Sequence, residues 1–309
     1  MSKIFIGMTT YNGQKFVAEA IESLLSQSYE NLTLFISDDA STDDTQKICE
    51  HYAKRDNRIT YYRQEKNLGM INNFDFVIQK ADAPYFMLAA HDDIREKDFL
   101  KVCLEAIENK KVDIAFTTEA DIDSYGRNLI ELTELPKLSG KPSIMQVIKY
   151  VLQPEVLGKC NLMYSLFKTN VMKKLWEIYP QRIEWGSDYH FSLAIISHFS
   201  IYIDEKILFK KRLGGISSLN ALKDDSPNVV KRIIIKNPKN QIFPFGRFKS
   251  YFRGHMKALK GTPYRPLVAF LLFIRLPRAF FIYLKERNYG KIIIKLIPDF
   301  IFSLHRRYF

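Results

Sequence analysis

Short apolar runs alternate with amphipathic segments through residues 3–118, and this alternation restricts the fold more than any other feature of the sequence. Five runs, at residues 3–8, 32–36, 59–62, 85–90 and 112–118, predict strands that are buried on both faces. The segments between them have helical spacing of apolar residues and short connections. Strands and helices in this order form right-handed crossovers. We therefore expect an α/β fold, with a doubly wound, mostly parallel sheet and helices on both faces.

Two of the predicted strands end in paired carboxylates, Asp38 and Asp39 after the second and Asp92 and Asp93 after the fourth. Ligands of open parallel sheets bind outside the carboxyl ends of the strands. Carboxylate oxygens there can hold a divalent cation, although an aspartate in this place can equally cap the following helix. No Gly-x-Gly-x-x-Gly or Gly-Lys-Ser loop is present. A nucleotide diphosphate bound here would therefore need a metal to neutralise its phosphates.

The positive charge of the chain is concentrated in its last part. Residues 228–309 contain 18 Lys/Arg and 2 Asp/Glu, a net charge of +16, whereas residues 1–227 have a net charge of −4. Phenylalanine and tyrosine are interleaved with these cations, which is typical of helices that lie on an anionic membrane surface. A small helical subdomain with solvated cations is the alternative. Single-stranded nucleic acid could also stack on such aromatics, but no nucleic-acid-binding pattern accompanies them, so we expect no nucleic acid partner.

The remaining composition indicates a cytoplasmic protein. The longest apolar stretch, residues 266–284, is interrupted by Arg275, Pro277 and Arg278, which argues against a membrane-spanning helix. The first residues lead directly into a strand, so no signal peptide is expected. Three widely spaced cysteines in apolar segments predict buried free thiols in a reducing compartment. They are Cys49, Cys103 and Cys160.

Four motifs in the first 118 residues, taken in order, resemble those of family 2 glycosyltransferases with the GT-A fold. They are Thr9-Thr10-Tyr11-Asn12, Ser37-Asp38-Asp39-Ala40-Ser41-Thr42-Asp43, Asn67-Leu68-Gly69 and His91-Asp92-Asp93. A weaker match runs from Trp185 to Ser217. The resemblance implies a GT-A fold and transfer of a sugar from a nucleotide diphosphate to a hydroxyl group, with inversion at the anomeric carbon.

The resemblance also implies a set of residues that bind the nucleotide sugar. They are Thr9, Tyr11, Asn12, Asp38, Asp39, Asn67, His91 and Arg212, the last as a clamp on the diphosphate.

The resemblance further implies a Mg²⁺ or Mn²⁺ ion on the diphosphate. Asp92 stands at the last position of the family's Asp-x-Asp motif, and Ala90 replaces the first aspartate. We expect Asp92, with Asp93 beside it, to hold the ion together with phosphates and water, which magnesium accepts. Gly214 stands where the family often has a histidine, so a second metal ligand is not expected there.

Asp188 opens an apolar segment that predicts a helix, and two roles are open to it. Locally, it is an acidic residue at a helix N-terminus, where the macrodipole favours negative charge. The resemblance instead makes Asp188 the catalytic base that activates the acceptor hydroxyl. Glu184 is the next candidate for this role.

These expectations divide the chain into three parts. Residues 1–118 form the nucleotide-sugar-binding half of a GT-A domain, 119–220 the acceptor-binding half, and 221–309 a basic, aromatic, mainly helical membrane-associating region. We expect a UDP-sugar as donor and a lipid-linked saccharide as acceptor, in surface polysaccharide biosynthesis at the inner face of the membrane. A sugar nucleotidyltransferase and a non-catalytic scaffold without a metal are the alternatives, the latter because of Ala90 and Gly214.

Overall fold

The computed structural model describes residues 3–153, 158–179, 186–213 and 248–286. The strands are β1 (Ile4–Thr10), β2 (Leu32–Asp38), β3 (Ile59–Arg63), β4 (Tyr85–Ala90), β5 (Ile94–Arg95), β6 (Ile114–Ile122), β7 (Asn128–Glu131), β8 (Leu166–Lys168) and β9 (Ile201–Arg212). The helices are α1 (Val17–Leu25), α2 (Thr45–Arg55), α3 (Met70–Lys80), α4 (Phe99–Lys110), α5 (Ile144–Leu152), α6 (Thr169–Ile178), α7 (Ser187–His198), α8 (Phe248–Ala258) and α9 (Arg265–Glu286). Short 3-10 helices cover Leu135–Leu138 and Lys159–Tyr164.

One sheet runs through the whole body of the protein, in the order β3-β2-β1-β4-β8-β6-β9-β5, with β7 added beside β6. The four strands from β3 to β4 are parallel, and β6 and β9 are also parallel to each other. The short strand β8 lies antiparallel to both β4 and β6 and joins the two parallel groups. The predicted α/β fold with a mostly parallel sheet and a GT-A-like order of elements is therefore confirmed.

Both faces of the sheet are covered, as the unbroken apolar strands predict. In β1, Ile4, Ile6 and Met8 on one face have no exposed surface, and Phe5 on the other face is 4% exposed. Gly7 lies on the face of Phe5, where a Cβ atom would come within 3.1 Å of the Val77 side chain of α3. Alternate residues are thus buried under helices on opposite sides, and the carboxyl ends of the strands remain the accessible edge.

Three predicted elements differ from the structure. The apolar run at 112–118 predicts a strand that ends where the polar residues from Glu119 onward predict a loop, whereas β6 continues through them to Ile122. The apolar runs at 201–203 and 207–209 predict two short strands, but they belong to one strand, β9, which has irregular register with β6 near Thr118. The apolar pattern at 161–167 predicts a strand, but this stretch is mostly a 3-10 helix, and only Leu166–Lys168 pairs with the sheet.

The described part of the basic C-terminal region consists of two helices packed on the body. Helix α8 lies against α7, where the rings of His190 and His255 have centroids 4.9 Å apart. Gly254 permits this approach, because a Cβ atom there would lie 2.1 Å from the His190 ring. Helix α9 packs on α5 through Arg275, whose guanidinium donates to the Val151 carbonyl.

None of the helices in the described ranges is both long enough and apolar enough to cross a membrane. The rest of the predicted membrane-associating region, residues 221–247 and 287–309, lies outside the described residues, as does Gly214.

Candidate active site

The two carboxylate pairs lie at the same edge of the sheet, because β1 pairs in parallel with both β2 and β4. The chain after β4 passes through His91, Asp92 and Asp93 into β5, which pairs antiparallel with β9. This pairing brings the basic end of β9, residues 210–212, beside the second carboxylate pair. The cations of β9 thus lie beside the carboxylates although they are more than a hundred residues further along the sequence.

The carboxylate of Asp38 is fully buried and is occupied by protein donors. The backbone N–H and hydroxyl of Ser41 donate to its Oδ1 atom at 2.9 and 2.5 Å. The Tyr61 hydroxyl and the Arg63 guanidinium donate to Oδ2 at 2.8 and 3.2 Å. Asp38 therefore ties the end of β2 to β3 and to the loop that follows β2.

Asp39, which is 3% exposed, connects two loops of the predicted donor site. Its two oxygens accept the backbone N–H groups of Leu68 and Gly69 at 2.6 and 3.0 Å. Asn67 is exposed, and its side-chain oxygen accepts the same Gly69 N–H at 3.0 Å. The two motifs around Asp39 and Asn67 thus form one connected surface beside the strand ends.

The loop after β1 is fixed by hydrogen bonds to the loop after β2. Asn12 has a positive φ of 50°, its N–H donates to Ser41 Oγ at 2.9 Å, and its Oδ1 accepts the Thr42 N–H at 2.8 Å. Tyr11, between this loop and β1, is 39% exposed and free to contact a ligand. Thr9 is half-buried, and its carbonyl lies 3.4 Å from His91 Nδ1.

His91 lies against the loop after β1. Its ring packs on Gly13, where a Cβ atom would come within 2.7 Å of His91 Cδ2. The second ring nitrogen, Nε2, is buried and has no hydrogen-bond partner. His91 therefore holds the segment Asp92-Asp93, called the Asp-Asp segment below, close to β1. Its Nε2 atom remains without a hydrogen bond.

Asp92 differs from the other three aspartates of the pairs, because its half-buried carboxylate accepts no hydrogen bond from any other residue in the described ranges. Burial, followed by the charge of Asp93, raises its pKa. Asp93 is 2% exposed; its Oδ1 accepts the Arg212 N–H at 3.0 Å, and its Oδ2 lies 3.6 Å from Lys211 Nζ. Asp92 is thus the carboxylate with free oxygens at this edge.

Lys211 is the cation that lies beside the carboxylates of Asp92 and Asp93. Burial alone lowers the pKa of its ammonium group, but Asp93, Tyr164 and Asp92 together raise that pKa well above the usual range. The ammonium also lies 5.2 Å from the centroid of the Tyr164 ring. Lys211 is therefore charged and can attract a diphosphate as well as the carboxylates. Lys211 is not among the site residues predicted from the sequence.

Arg212, which was predicted to clamp the diphosphate, uses its guanidinium within the protein. Nε donates to the Asp92 carbonyl at 2.9 Å, Nη1 to the Asp123 carbonyl at 3.0 Å and Nη2 to Glu19 Oε2 at 2.6 Å. The guanidinium also stacks on Phe16 at 4.5 Å from the ring centroid, and the residue is 3% exposed. In this geometry Arg212 fixes the Asp-Asp segment, and its contact with a diphosphate stays a prediction.

Asp188 lies in the first turn of α7, after Gly186, which has a φ of 81°. Its Oδ1 accepts the Tyr189 N–H at 2.9 Å, and its side chain also interacts with the Cys160 thiol. Burial raises the pKa of Asp188, while Lys211 lowers it. Helix α7, which carries Asp188, packs on the 3-10 helix Lys159–Tyr164, and the Tyr164 ring of that helix lies 5.2 Å from Lys211 Nζ. This packing connects Asp188 with the segment that carries Asp92 and Asp93.

Two acidic residues of β6 belong to the same cluster of charged side chains, although they were not predicted from the sequence. Glu119 is fully buried and accepts the Asn161 amide at 2.7 Å, and Asp121 is 7% exposed opposite Lys211 in the β6–β9 register. Burial raises the pKa of Asp121 to about 7 and that of Glu119 well above its usual range. Their spacing of two residues, which places both on one face of a continuing strand, is the signal that could have identified them.

The carboxylates at the end of β4 can hold a divalent cation only if the substrate supplies further ligands. No group of three or more His, Cys, Asp or Glu side chains within the described ranges is arranged to hold a metal ion. Magnesium, however, is commonly held by one or two carboxylates together with substrate phosphates and water. The free oxygens of Asp92 at the end of β4 meet that requirement.

Comparison with known proteins identifies the family of this chain. The sequence model described as glycosyl transferase family 2 matches residues 5–176. An uncharacterized glycosyltransferase of Rickettsia felis is 30% identical over 216 residues, which are 69% of this chain and 33% of that protein. Another, from Rickettsia typhi, is 24% identical over 88% of both chains. The chain therefore spans about a third of the length of the first curated relatives.

Two solved structures have a similar fold at low sequence identity. TarS 1–349 of S. aureus in complex with UDP-GlcNAc has a TM-score of 0.59 at 16% identity, over 93% of this chain and 92% of that one. The mannosyltransferase PcManGT from Pyrobaculum calidifontis, in complex with GDP-Man and Mn²⁺, has a TM-score of 0.53 at 13% identity, over 90% and 73%. The family match covers more than half of the chain and includes the strand ends of the site. The chain belongs to glycosyl transferase family 2.

Proposed function

We propose that this protein transfers a sugar from a nucleotide-diphosphate donor to a hydroxyl group of an acceptor, with inversion at the anomeric carbon. The observation that carries the proposal is the half-buried Asp92 carboxylate at the end of β4. It accepts no hydrogen bond from another described residue, and beside it Lys211 Nζ lies 3.6 Å from Asp93 Oδ2. A carboxylate with free oxygens, a cation and a second carboxylate at a helix N-terminus are the groups that a direct displacement requires.

In the proposed reaction, Asp188 accepts the proton of the acceptor hydroxyl. The oxygen then forms a bond to the anomeric carbon, and the bond from that carbon to the nucleotide diphosphate breaks. The diphosphate leaves with the bonding electron pair, and the charge of Lys211 stabilises it. A single displacement by one base accounts for inversion. The raised pKa of Asp188 favours proton uptake, because the charged form is destabilised by burial.

We propose Asp92 as the protein ligand of a Mg²⁺ or Mn²⁺ ion, which would neutralise the diphosphate when bound. Asp93 would support it as the partner of Lys211 and of the Arg212 backbone. His91, with its unpaired Nε2, and the exposed Tyr11 are suited to contact the nucleotide sugar. Thr9, Asn12, Asp38, Asp39 and Asn67 would shape the surface that receives the nucleoside.

The donor and acceptor are proposed at the level of chemical class. Solved structures of similar fold bind UDP, UDP-GlcNAc or GDP-Man, which supports a nucleotide sugar, and a UDP-sugar is our first choice. The net charge of +16 in residues 228–309 supports attachment to an anionic membrane. A lipid-linked saccharide of a surface polysaccharide, presented at the cytoplasmic face, is therefore the proposed acceptor.

A thermal-shift screen of nucleoside diphosphates and their sugars, with and without Mn²⁺, tests this function. We expect stabilisation by one nucleotide sugar that increases with Mn²⁺. Incubation with that sugar should then release the nucleoside diphosphate when an acceptor is present. Release of pyrophosphate from a nucleoside triphosphate and a sugar phosphate would instead indicate a nucleotidyltransferase. Binding without any turnover would indicate a scaffold.

A further inference from the structure

Exposed large apolar side chains are concentrated on two helices that pack against each other. On α5 and α9, six such side chains are between 37% and 61% exposed: Ile144, Met145, Leu152, Phe270, Phe273 and Phe280. We call the surface that they form the α5–α9 surface. Elsewhere in the described ranges, exposed side chains of this kind are Tyr11, Tyr62, Met70 and Tyr125. Exposed apolar side chains grouped on two neighbouring helices mark an interaction site more often than scattered single residues do.

Helix α9 is apolar on both of its sides. Its inner side is buried through Val268, Leu272, Arg275 and Ala279, at helical spacing. Its outer side carries Phe270 and Phe273, which are 61% and 54% exposed, together with exposed prolines at 266 and 277 at the matching spacing. Phe273 also packs against the Phe248 and Phe252 rings of α8, with centroids 5.7 and 5.4 Å away, but more than half of it stays exposed. Packing within the protein therefore explains the inner side and only part of the outer side, which would be polar if it faced water alone.

The α5–α9 surface is tied to the catalytic body. The Arg275 guanidinium donates to the carbonyl of Val151, next to the exposed Leu152. Helix α5 in turn contacts α7, since the Tyr150 hydroxyl donates to the Tyr189 carbonyl at 2.6 Å. Tyr189 follows Asp188 directly. A partner that covers the α5–α9 surface would therefore hold the Asp188 end of the site in a defined orientation.

The charge around this surface is complementary to an anionic partner. Residues 248–286 contain eight Lys/Arg, one of which is the buried Arg275, and one Asp/Glu, which is Glu286 at the end of α9. Phenylalanines beside cations, without acidic residues between them, are typical of helices that lie in the headgroup region of anionic bilayers. A protein partner would account for the apolar surface but gives no reason for the one-sided charge.

We propose that the α5–α9 surface inserts into an anionic lipid bilayer and so places α7 and Asp188 at a fixed orientation to the membrane. This inference rests on the proposed membrane-bound function and extends it, because it assigns part of the contact to α5 in the catalytic body. Attachment by the basic C-terminal region alone would not involve Ile144 or Met145.

Co-sedimentation of the full chain with vesicles of phosphatidylcholine, or of phosphatidylcholine and phosphatidylglycerol, tests the proposal. The variants are Phe270→Ser/Phe273→Ser on α9 and Ile144→Ser/Met145→Ser on α5. Tyr125→Ser is the matched control, because Tyr125 is an exposed aromatic residue on the β6–β7 turn, 76% exposed. All these side chains are more than half exposed, so the melting temperature should change little.

We expect both double variants to bind anionic vesicles at least tenfold more weakly, and Tyr125→Ser to bind like the wild type. Binding lost in the α9 variant but retained in the α5 variant would overturn the proposal while leaving membrane attachment intact. Failure of the wild-type chain to bind any vesicle would overturn the membrane-bound function as well. A dimer in solution that Phe270→Ser/Phe273→Ser dissociates, without vesicle binding, would show that a second copy covers the surface.

Discussion

The two Asp-Asp pairs are identical as dipeptides and occupy equivalent strand ends, yet the protein uses them differently. Asp38 and Asp39 accept hydrogen bonds from six donor atoms of the chain, and both are buried. Asp93 is paired with Lys211 and with a backbone N–H, whereas the Asp92 carboxylate receives no side-chain donor within the described ranges. The first pair is satisfied by the fold, and the second leaves one carboxylate for a ligand.

This difference suggests how a structural carboxylate can be separated from a functional one. A buried carboxylate whose oxygens are all hydrogen-bonded contributes to stability, and removal of it leaves its donors unpaired. A half-buried carboxylate without donors is costly for the folded protein and is retained where a ligand or a reaction uses it. The comparison therefore predicts loss of activity at Asp92 and loss of stability at Asp38, whereas the expectation for Asp188 comes from its proposed role as the base.

The largest effect is expected for Asp188→Asn. The amide keeps the size of the side chain but cannot accept the hydroxyl proton, so transfer should fall by about 10²–10⁴-fold while donor binding is retained. Single-turnover transfer and the donor-induced thermal shift are the two measurements. Transfer close to the wild-type rate would assign the base elsewhere, with Glu184, which lies outside the described residues, as the next candidate.

Asp121→Asn should change the pH dependence of stability. The folded-state pKa of Asp121 is raised from 3.8 to about 7. Its stabilising contribution to the free energy of unfolding is therefore fully present below about pH 4 and is lost as the pH rises through 7. Asparagine does not titrate, so the variant should gain stability over the wild type between pH 4 and 7, by up to about 4 kcal/mol.

Urea unfolding at pH 4.5, 6 and 7.5 measures this change, and Asp113→Asn is a control of opposite sign. Hydrogen bonds from Ser200 and Lys168 outweigh burial and lower the pKa of Asp113. That variant should lose stability relative to the wild type at neutral pH and less so in acid. If the free energy of unfolding of Asp121→Asn depended on pH as that of the wild type does, the raised pKa of Asp121 would be contradicted.

Asp92→Ala should abolish the Mn²⁺-dependent part of nucleotide-diphosphate binding, because it removes the carboxylate that has free oxygens. A ligand at a hundred times its dissociation constant stabilises the wild type by about 2.7 kcal/mol, and the Mn²⁺-dependent part of this shift should disappear. Asp82→Ala, an exposed aspartate before β4, serves as the control. A metal-dependent shift that persists in Asp92→Ala would assign the ion to other ligands.

Asp38→Asn should mainly affect stability. The amide cannot accept from Ser41, Tyr61 and Arg63 as the carboxylate does, and we expect the free energy of unfolding to fall by about 2 kcal/mol. Chemical denaturation measures this, with Asp44→Asn, an exposed partner of Lys47, as the control that changes it little. Unchanged stability together with weaker nucleotide binding would instead support the predicted ligand contact of Asp38.

Much of the body of the fold was predictable, because local periodicity determines strands and helices before any tertiary contact is known. The alternation of apolar runs gave the parallel strands β1 to β4 and the helices between them. It failed at β6, where Glu119 and Asp121 interrupt the apolar pattern although the strand continues. Acidic residues in a buried strand are rare, and no local pattern indicates that Asn161 and Lys211 will lie beside them.

The sequence by itself determined the order of elements, the two carboxylate pairs at strand ends and the position of Asp188 at a helix start. Tertiary structure alone decided which carboxylates would be satisfied and which cation would face them. Asp93 and Arg212 are 119 residues apart and are joined by a hydrogen bond from the Arg212 N–H to the Asp93 carboxylate. The side chains of the neighbours Lys211 and Arg212 have different partners, Asp93 and Glu19. Hydrogen bonds and charge pairs depend on distances of a few ångströms, which are fixed only when β5 pairs with β9.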